Sequence, residues 1–182
     1  VRGGSEISAL SKLVVGDEEG ADATLTVTGA ESILAMGLAT TSELIVGNNG
    51  RGDLQVTEGA IADLSNVSIG KGEEGFGSAF IGGLDTKLTA DALDVGGGAF
   101  GLLQVEQPAR VGTFQLWLGE NGQVEGRVIA VGTFHDPSKR NDTGIFTNAL
   151  LLAENAQLNV DSLILGDDAI LGGTVTWAVE IH

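Results

Sequence analysis

"LIVGNNGRGDLQVTEGA", residues 44–60, opens with an apolar run closed by a glycine, passes through a polar, glycine-rich turn, and ends in a run where apolar and polar residues alternate. Leu54 and Val56 recur at period two, which puts them on one side of a half-buried strand. The stretch therefore reads as strand, turn, strand. At its centre lies Arg51-Gly52-Asp53, a tripeptide known as a cell-adhesion signal. In this position the default reading is the turn of a structural unit: Gly50 and Gly52 suit positive φ, and Asp53 suits a side-chain cap on the turn.

Outward from this stretch, the pattern apolar, any residue, apolar, glycine recurs. It appears as "LVVG" ending at Gly16, "LIVG" at Gly47, "VSIG" at Gly70, "LDVG" at Gly96, "LWLG" at Gly119 and "LILG" at Gly166. These glycines are separated by 31, 23, 26, 23 and 47 residues, the last being close to two units. A recurring unit of roughly 23 residues is a solenoid signature. A polar turn and an alternating strand follow most of the glycines, whereas helical spacing is sustained nowhere; "ILAMGLA" (33–39) alone is ambiguous. An antiparallel sandwich has no reason to repeat one apolar-glycine signature. A parallel β-helix does, because each coil stacks its strands on those of the next and lines up inward Val, Leu and Ile. The expected fold is an all-β, right-handed parallel β-helix with coils of roughly 23 residues.

The same stretch resembles the repeat of bacterial autotransporter passenger domains, in which a "VGNNG-x-G-x-L-x-V-x-x-GA" pattern marks successive coils. The resemblance recurs more weakly at Leu13 to Ala30, Val67 to Ala90 and Leu93 to Val105, covering roughly the first two thirds of the chain; the remainder follows by period only. It implies an exported, extracellular or cell-surface protein without naming a receptor. The family includes adhesins, self-associating proteins and carriers of toxins or proteases.

Composition narrows the function classes. Nine Lys+Arg against 25 Asp+Glu leave a formal charge of −16, which disfavours nucleic acid and anionic membranes, both of which need clustered cations. Such acidity favours solubility and attraction to cations or basic partners. With no cysteine, disulfides, thiolate zinc and cysteine nucleophiles are excluded. No apolar run is long enough for a membrane helix. The chain begins at Val1, which reads as a mature or excised segment of a longer exported protein.

Two places break the repeat. Residues 132–147, "GTFHDPSKRNDTGIFT", carry a proline and a dense mix of His135, Asp136, Lys139 and Arg140, and read as a loop leaving the coil. Loops on a rigid scaffold are favoured contact sites. Residues 30–43 also lengthen a unit, and their apolar content suggests packing on the solenoid or capping an end. For calcium, "GDEEGAD" and "GDD" supply carboxylates without an ordered ligand series. For an enzyme, the His135 group sits in one loop rather than on successive coils, and Trp117 and Trp177 fall on strand positions that suit core or capping residues equally. "GGGAFG" around Gly96 reads as a solenoid corner, since neither a helix nor Lys-Ser/Thr follows it.

The reading is one solenoid domain over residues 1–182 with a loop insertion at 132–147. No catalytic or metal residues, no cofactor and no defined binding residues are assigned. The expected function is a non-enzymatic structural or adhesive segment: a stalk, an adhesin or a self-associating fibre subunit. Its expected partners are other copies of itself, a host-cell receptor or a glycan. The alternative is a carbohydrate-active β-helix enzyme, such as a polysaccharide lyase or hydrolase.

Overall fold

The computed structural model describes residues 1–8, 11–36, 42–131, 144–165 and 168–173. Its regular elements are strands: β1 (Glu6–Ile7), β2 (Lys12–Val15), β3 (Asp22–Thr28), β4 (Ile33–Ala35), β5 (Glu43–Val46), β6 (Arg51–Thr57), β7 (Ile61–Ile69), β8 (Phe76–Gly82), β9 (Lys87–Val95), β10 (Phe100–Val105), β11 (Arg110–Leu118), β12 (Gly122–Val131), β13 (Gly144–Leu152), β14 (Gln157–Leu165) and β15 (Ile170–Gly173). Every ladder between them is parallel.

The ladders define three faces. Face A stacks β3, β6, β8, β10 and the first halves of β12 and β14. Face B begins with β1, β4 and the first halves of β7, β9, β11 and β13. Face C stacks β2, β5, the second halves of β7, β9, β11 and β13, and finally β15. One coil runs from A through B to C and returns to A on the next rung. Equivalent positions are set by this step: Asp53 and Ser78, bonded between neighbouring coils, are 25 residues apart, and Asp63 and Thr89 are 26 apart. The chain is a parallel β-helix, as its glycine repeat implies.

Alternation along each strand fills the interior. On face C, Leu44, Val67, Leu93, Leu116 and Leu150 form one inward column in register, each no more than 1% exposed. Face A contributes Leu54, Ala79, Leu103 and Val124 in the same manner. Each fully buried leucine contributes about 1.5–3 kcal/mol relative to an exposed one. Between faces B and C the strand bends without breaking. There the buried Thr113 and Thr147, neighbours in register, each donate a hydroxyl proton to the carbonyl two residues on, at 2.8 Å, which satisfies polar atoms at the bend.

Both departures from the repeat contribute strands to the sheet. Ile33–Ala35 is a rung of face B between β1 and β7, and Met36 is buried in the core. From the expected loop, residues 144–147 form the buried first half of β13. That half lies between β11 and the second half of β12: Ile145 is registered with Val111 on one side and Ile129 on the other. Face B thus gains a rung here, and the second half of β14 stacks beyond it on β12. The apolar part of "LILG", Leu163–Leu165, lies in that second half of β14. Leu163–Leu165 pairs with Ile129–Val131 on face B, while Leu150 and Leu152 continue the face C ladder.

Candidate functional site

The corner from face C to face A contains the candidate adhesive tripeptide. Gly47 leaves face C with φ of 72°, and a Cβ there would lie 2.2 Å from the Phe76 carbonyl oxygen. Gly52 enters face A, and a Cβ there would lie 2.2 Å from the Val15 carbonyl oxygen and 2.3 Å from the Gly47 nitrogen. Arg51-Gly52-Asp53 is therefore the first part of strand β6 rather than the tip of a turn. Neither Gly50 nor Gly52 has positive φ; glycine is required because backbone from the adjoining coil occupies the side-chain position. Asp53 does not cap the turn. Its carboxylate accepts hydrogen bonds from the Ser78 hydroxyl on the next coil and from Arg51 Nε, the latter at 3.2 Å. The Arg51 guanidinium lies 4.9 Å from the centroid of Phe76, which stacks on Phe100 at 5.1 Å and 15°. Both charged side chains of the tripeptide are thus engaged by their own solenoid.

Acidic side chains gather beside this corner. Asp17, Glu18, Glu19, Asn49, Glu73 and Glu74 line an open depression of about 530 Å³. Among the described residues, no three carboxylate or histidine side chains converge closely enough to hold a metal ion. Gly96, with φ of 77°, is a solenoid corner as expected. His135, Asp136, Lys139, Arg140 and Trp177 lie outside the described residues.

A second depression, of about 430 Å³, opens on the outer surface of face C. Its floor follows from strand alternation: with Leu93 and Leu116 turned inward, Asp94 and Trp117 face outward as register partners on adjacent rungs. The same outward column runs from Ile45 through Ser68 and Asp94 to Trp117 and Leu151. Ile45 is buried, whereas Trp117 is 45% exposed and Leu151 is 36% exposed. The adjoining outward column adds Glu43, Asn66 and Gln115.

Charge in this groove is unevenly matched. Glu43 accepts hydrogen bonds from the Lys71 ammonium and from the Ser68 hydroxyl, the latter at 3.2 Å. Asp94 Oδ1 is buried and has no hydrogen-bond partner among the described residues. Burial pushes the Asp94 carboxyl from its ordinary value of 3.8 up to about 6; Lys71 draws it down and Glu43 adds a smaller push upward. A buried, unpartnered carboxylate oxygen in a native fold calls for an explanation. The Asp94 carboxylate as a whole lines the groove beside an exposed indole, a pairing that suits a hydrogen-bond donor with a flat or cationic face.

Comparison with protein-family models, curated proteins and solved structures finds no match to this chain.

The Asp94 and Trp117 pair is written in the repeat itself. The unspecified position of the apolar-any-apolar-glycine pattern reads Val14, Ile45, Ser68, Asp94 and Trp117 on successive coils. That position is the outward column of face C, so a carboxylate and an indole at consecutive instances are neighbours in space.

Proposed function

We propose that this chain is a non-enzymatic structural and adhesive segment of an extracellular, bacterial surface protein of the autotransporter-passenger kind, serving as a rigid stalk that carries binding side chains on its outer faces. The observation that supports this reading most is the lashing of outward side chains from coil to coil. Asp17 accepts from Asn48 at 2.8 Å, Thr28 from Thr57 at 2.9 Å, Asp63 from Thr89 at 2.6 Å, and Glu125 from Gln104 at 2.7 Å. In a solenoid each coil touches only its neighbours, so such bonds supplement the backbone ladder where they occur and stiffen the rod along its axis. The outer surface then holds side chains at fixed positions about 4.8 Å apart, a geometry suited to display.

The test is display of the chain on a bacterium that neither adheres nor aggregates. Attachment to cultured cells or immobilised extracellular protein, or settling of the displaying bacteria into clumps, supports the proposal. Behaviour indistinguishable from the undecorated carrier overturns it. Electron microscopy of the purified chain over a range of concentrations separates the modes: filaments favour the self-associating fibre, and discrete short rods favour the stalk or adhesin.

A further inference from the structure

The adhesive reading leaves the partner's chemistry open, and the groove on face C narrows it. We propose that the Asp94–Trp117 groove binds an arginine side chain presented by a peptide segment of a partner protein, the guanidinium donating to Asp94 while lying on the indole of Trp117. This deepens the adhesive reading and rests on it.

The first support is a filled version of the same arrangement elsewhere in the fold. At the start of face A, the Arg51 guanidinium donates to the Asp53 carboxylate at 3.2 Å and lies 4.9 Å from the Phe76 ring centroid, with the aromatic one rung along. Arg110 likewise covers the ring of Phe146 at 4.7 Å. On face C the aromatic and the carboxylate are again on adjacent rungs, as Trp117 and Asp94, and both line the groove, but the third member is missing: among the described residues no cation forms an ion pair with Asp94 or lies over the Trp117 ring.

The second support is charge. Two carboxylates, Glu43 and Asp94, share the Lys71 ammonium, which is bonded to Glu43. A neutral ligand, such as an uncharged sugar, would satisfy the hydrogen bond at Asp94 and leave the surplus charge uncompensated. A cation does both. Arginine fits better than lysine because its planar guanidinium stacks on an aromatic face and donates a fork of N–H groups to a carboxylate, whereas an ammonium remains a strongly hydrated point charge. The chain's formal charge of −16 draws basic segments toward the surface. The depression of about 430 Å³ accommodates one side chain with its stem along the exposed Leu151.

The probe is an acetylated, amidated Gly-Arg-Gly peptide titrated against the full chain carrying Trp177→Phe, so that Trp117 is the source of indole emission. The expected result is a saturable change in emission that weakens at least about tenfold for the peptide with citrulline in place of arginine, which keeps the shape and loses the charge. The peptide with lysine should bind less tightly than the arginine form. Asp94→Asn should weaken arginine binding by a similar factor while leaving the circular dichroism of the chain unchanged. Citrulline binding as well as arginine, the Asp94→Asn variant binding as well as the parent, or no saturable change up to about 10 mM peptide overturns the proposal. So does a neutral oligosaccharide producing the saturable change when arginine does not. This titration reads the groove in solution and the display assay reads attachment, so either can fail without the other.

Discussion

Two outward sites of this solenoid, the Arg51 corner at the start of face A and the groove on face C, pair an aromatic ring with a carboxylate and differ in one respect. On face A, Arg51, Asp53, Phe76 and Ser78 complete one another across neighbouring coils. On face C, Asp94 and Trp117 stand side by side with a carboxylate oxygen unmatched. Both sit on parallel rungs: Phe76 is registered with Arg51 and Ser78 with Asp53, while Trp117 is registered with Asp94 directly. In a parallel solenoid a side chain's main neighbour is the equivalent position one coil away, so saturation is decided by what the next repeat carries. Where the next repeat supplies the complement, the residues become structure. Where it does not, the column is left open to a ligand.

The largest test of the filled corner is Gly52→Ala. The new methyl group would lie 2.2 Å from the Val15 carbonyl oxygen and 2.3 Å from the Gly47 nitrogen, both backbone atoms of adjoining coil segments. We expect more than about 4 kcal/mol of destabilisation, at the exceptional end of single substitutions, read by urea unfolding followed by circular dichroism. A loss under about 1 kcal/mol would show that the corner can open and would return Arg51-Gly52-Asp53 to consideration as a mobile recognition turn.

Next in size is Leu93→Ala. Leu93 is 1% exposed in the continuous inward column from Leu44 to Leu150, and its removal leaves a cavity flanked by neighbouring rungs. The expected loss is about 2–5 kcal/mol in the same unfolding measurement. Its value for the comparison is that the adjacent residue, Asp94, on the opposite side of the strand, should give a change of opposite sign.

That opposite sign follows from the Asp94 carboxyl, held near 6 in the folded chain against an ordinary value of 3.8. The folded state binds this proton more tightly than the unfolded state, so ionisation of Asp94 destabilises the fold. The penalty is absent below pH 3.8, grows as pH rises through the window, and is complete above about 6. Asp94→Asn removes it. We expect the variant to be more stable at pH 7 by on the order of 1 kcal/mol, after allowance for solvent screening of this half-buried group, with the gain vanishing near pH 3.5. A gain that is flat across this range would mean that packing rather than charge is responsible.

Much of this is legible in the chain itself, because a solenoid converts sequence period directly into spatial neighbourhood. The glycines at 16, 47, 70 and 96 sit at equivalent corners with φ of 76°, 72°, 74° and 77°, and the alternating apolar residues are the interior columns. What period alone does not reveal is the extra rung. Gly166 continues the apolar-glycine pattern, yet Leu163–Leu165 lies on face B, because β13 returns to the sheet between β11 and β12 and takes over the face C ladder with Leu150 and Leu152. These leucines carry no following glycine; Ala153 occupies the corner and donates its N–H to the Leu118 carbonyl at 2.8 Å. The tripeptide misleads for a related reason. Glycine at position 52 reports a neighbouring backbone, not a left-handed turn, and a clash with another coil has no local signature. The groove is hidden because its residues occupy the position that the repeat leaves unspecified, where attention to the constant residues passes over them.

The smallest effect on stability, and the sharpest on the comparison, is expected from Leu151→Arg. Leu151 is registered beside Trp117 on the outward column of face C and is 36% exposed. An arginine there supplies from the next coil the cation that face A already has in Arg51, with its guanidinium over the indole as Arg51 lies over Phe76. Because the replaced side chain is at the surface, stability should stay within about 0.5 kcal/mol of the parent. Trp117 emission should take the value that saturating arginine peptide produces in the parent, and added peptide should change it no further. If the variant still binds the peptide as tightly as the parent, the guanidinium is recognised elsewhere, and the likeness between the two faces is one of composition without consequence for binding.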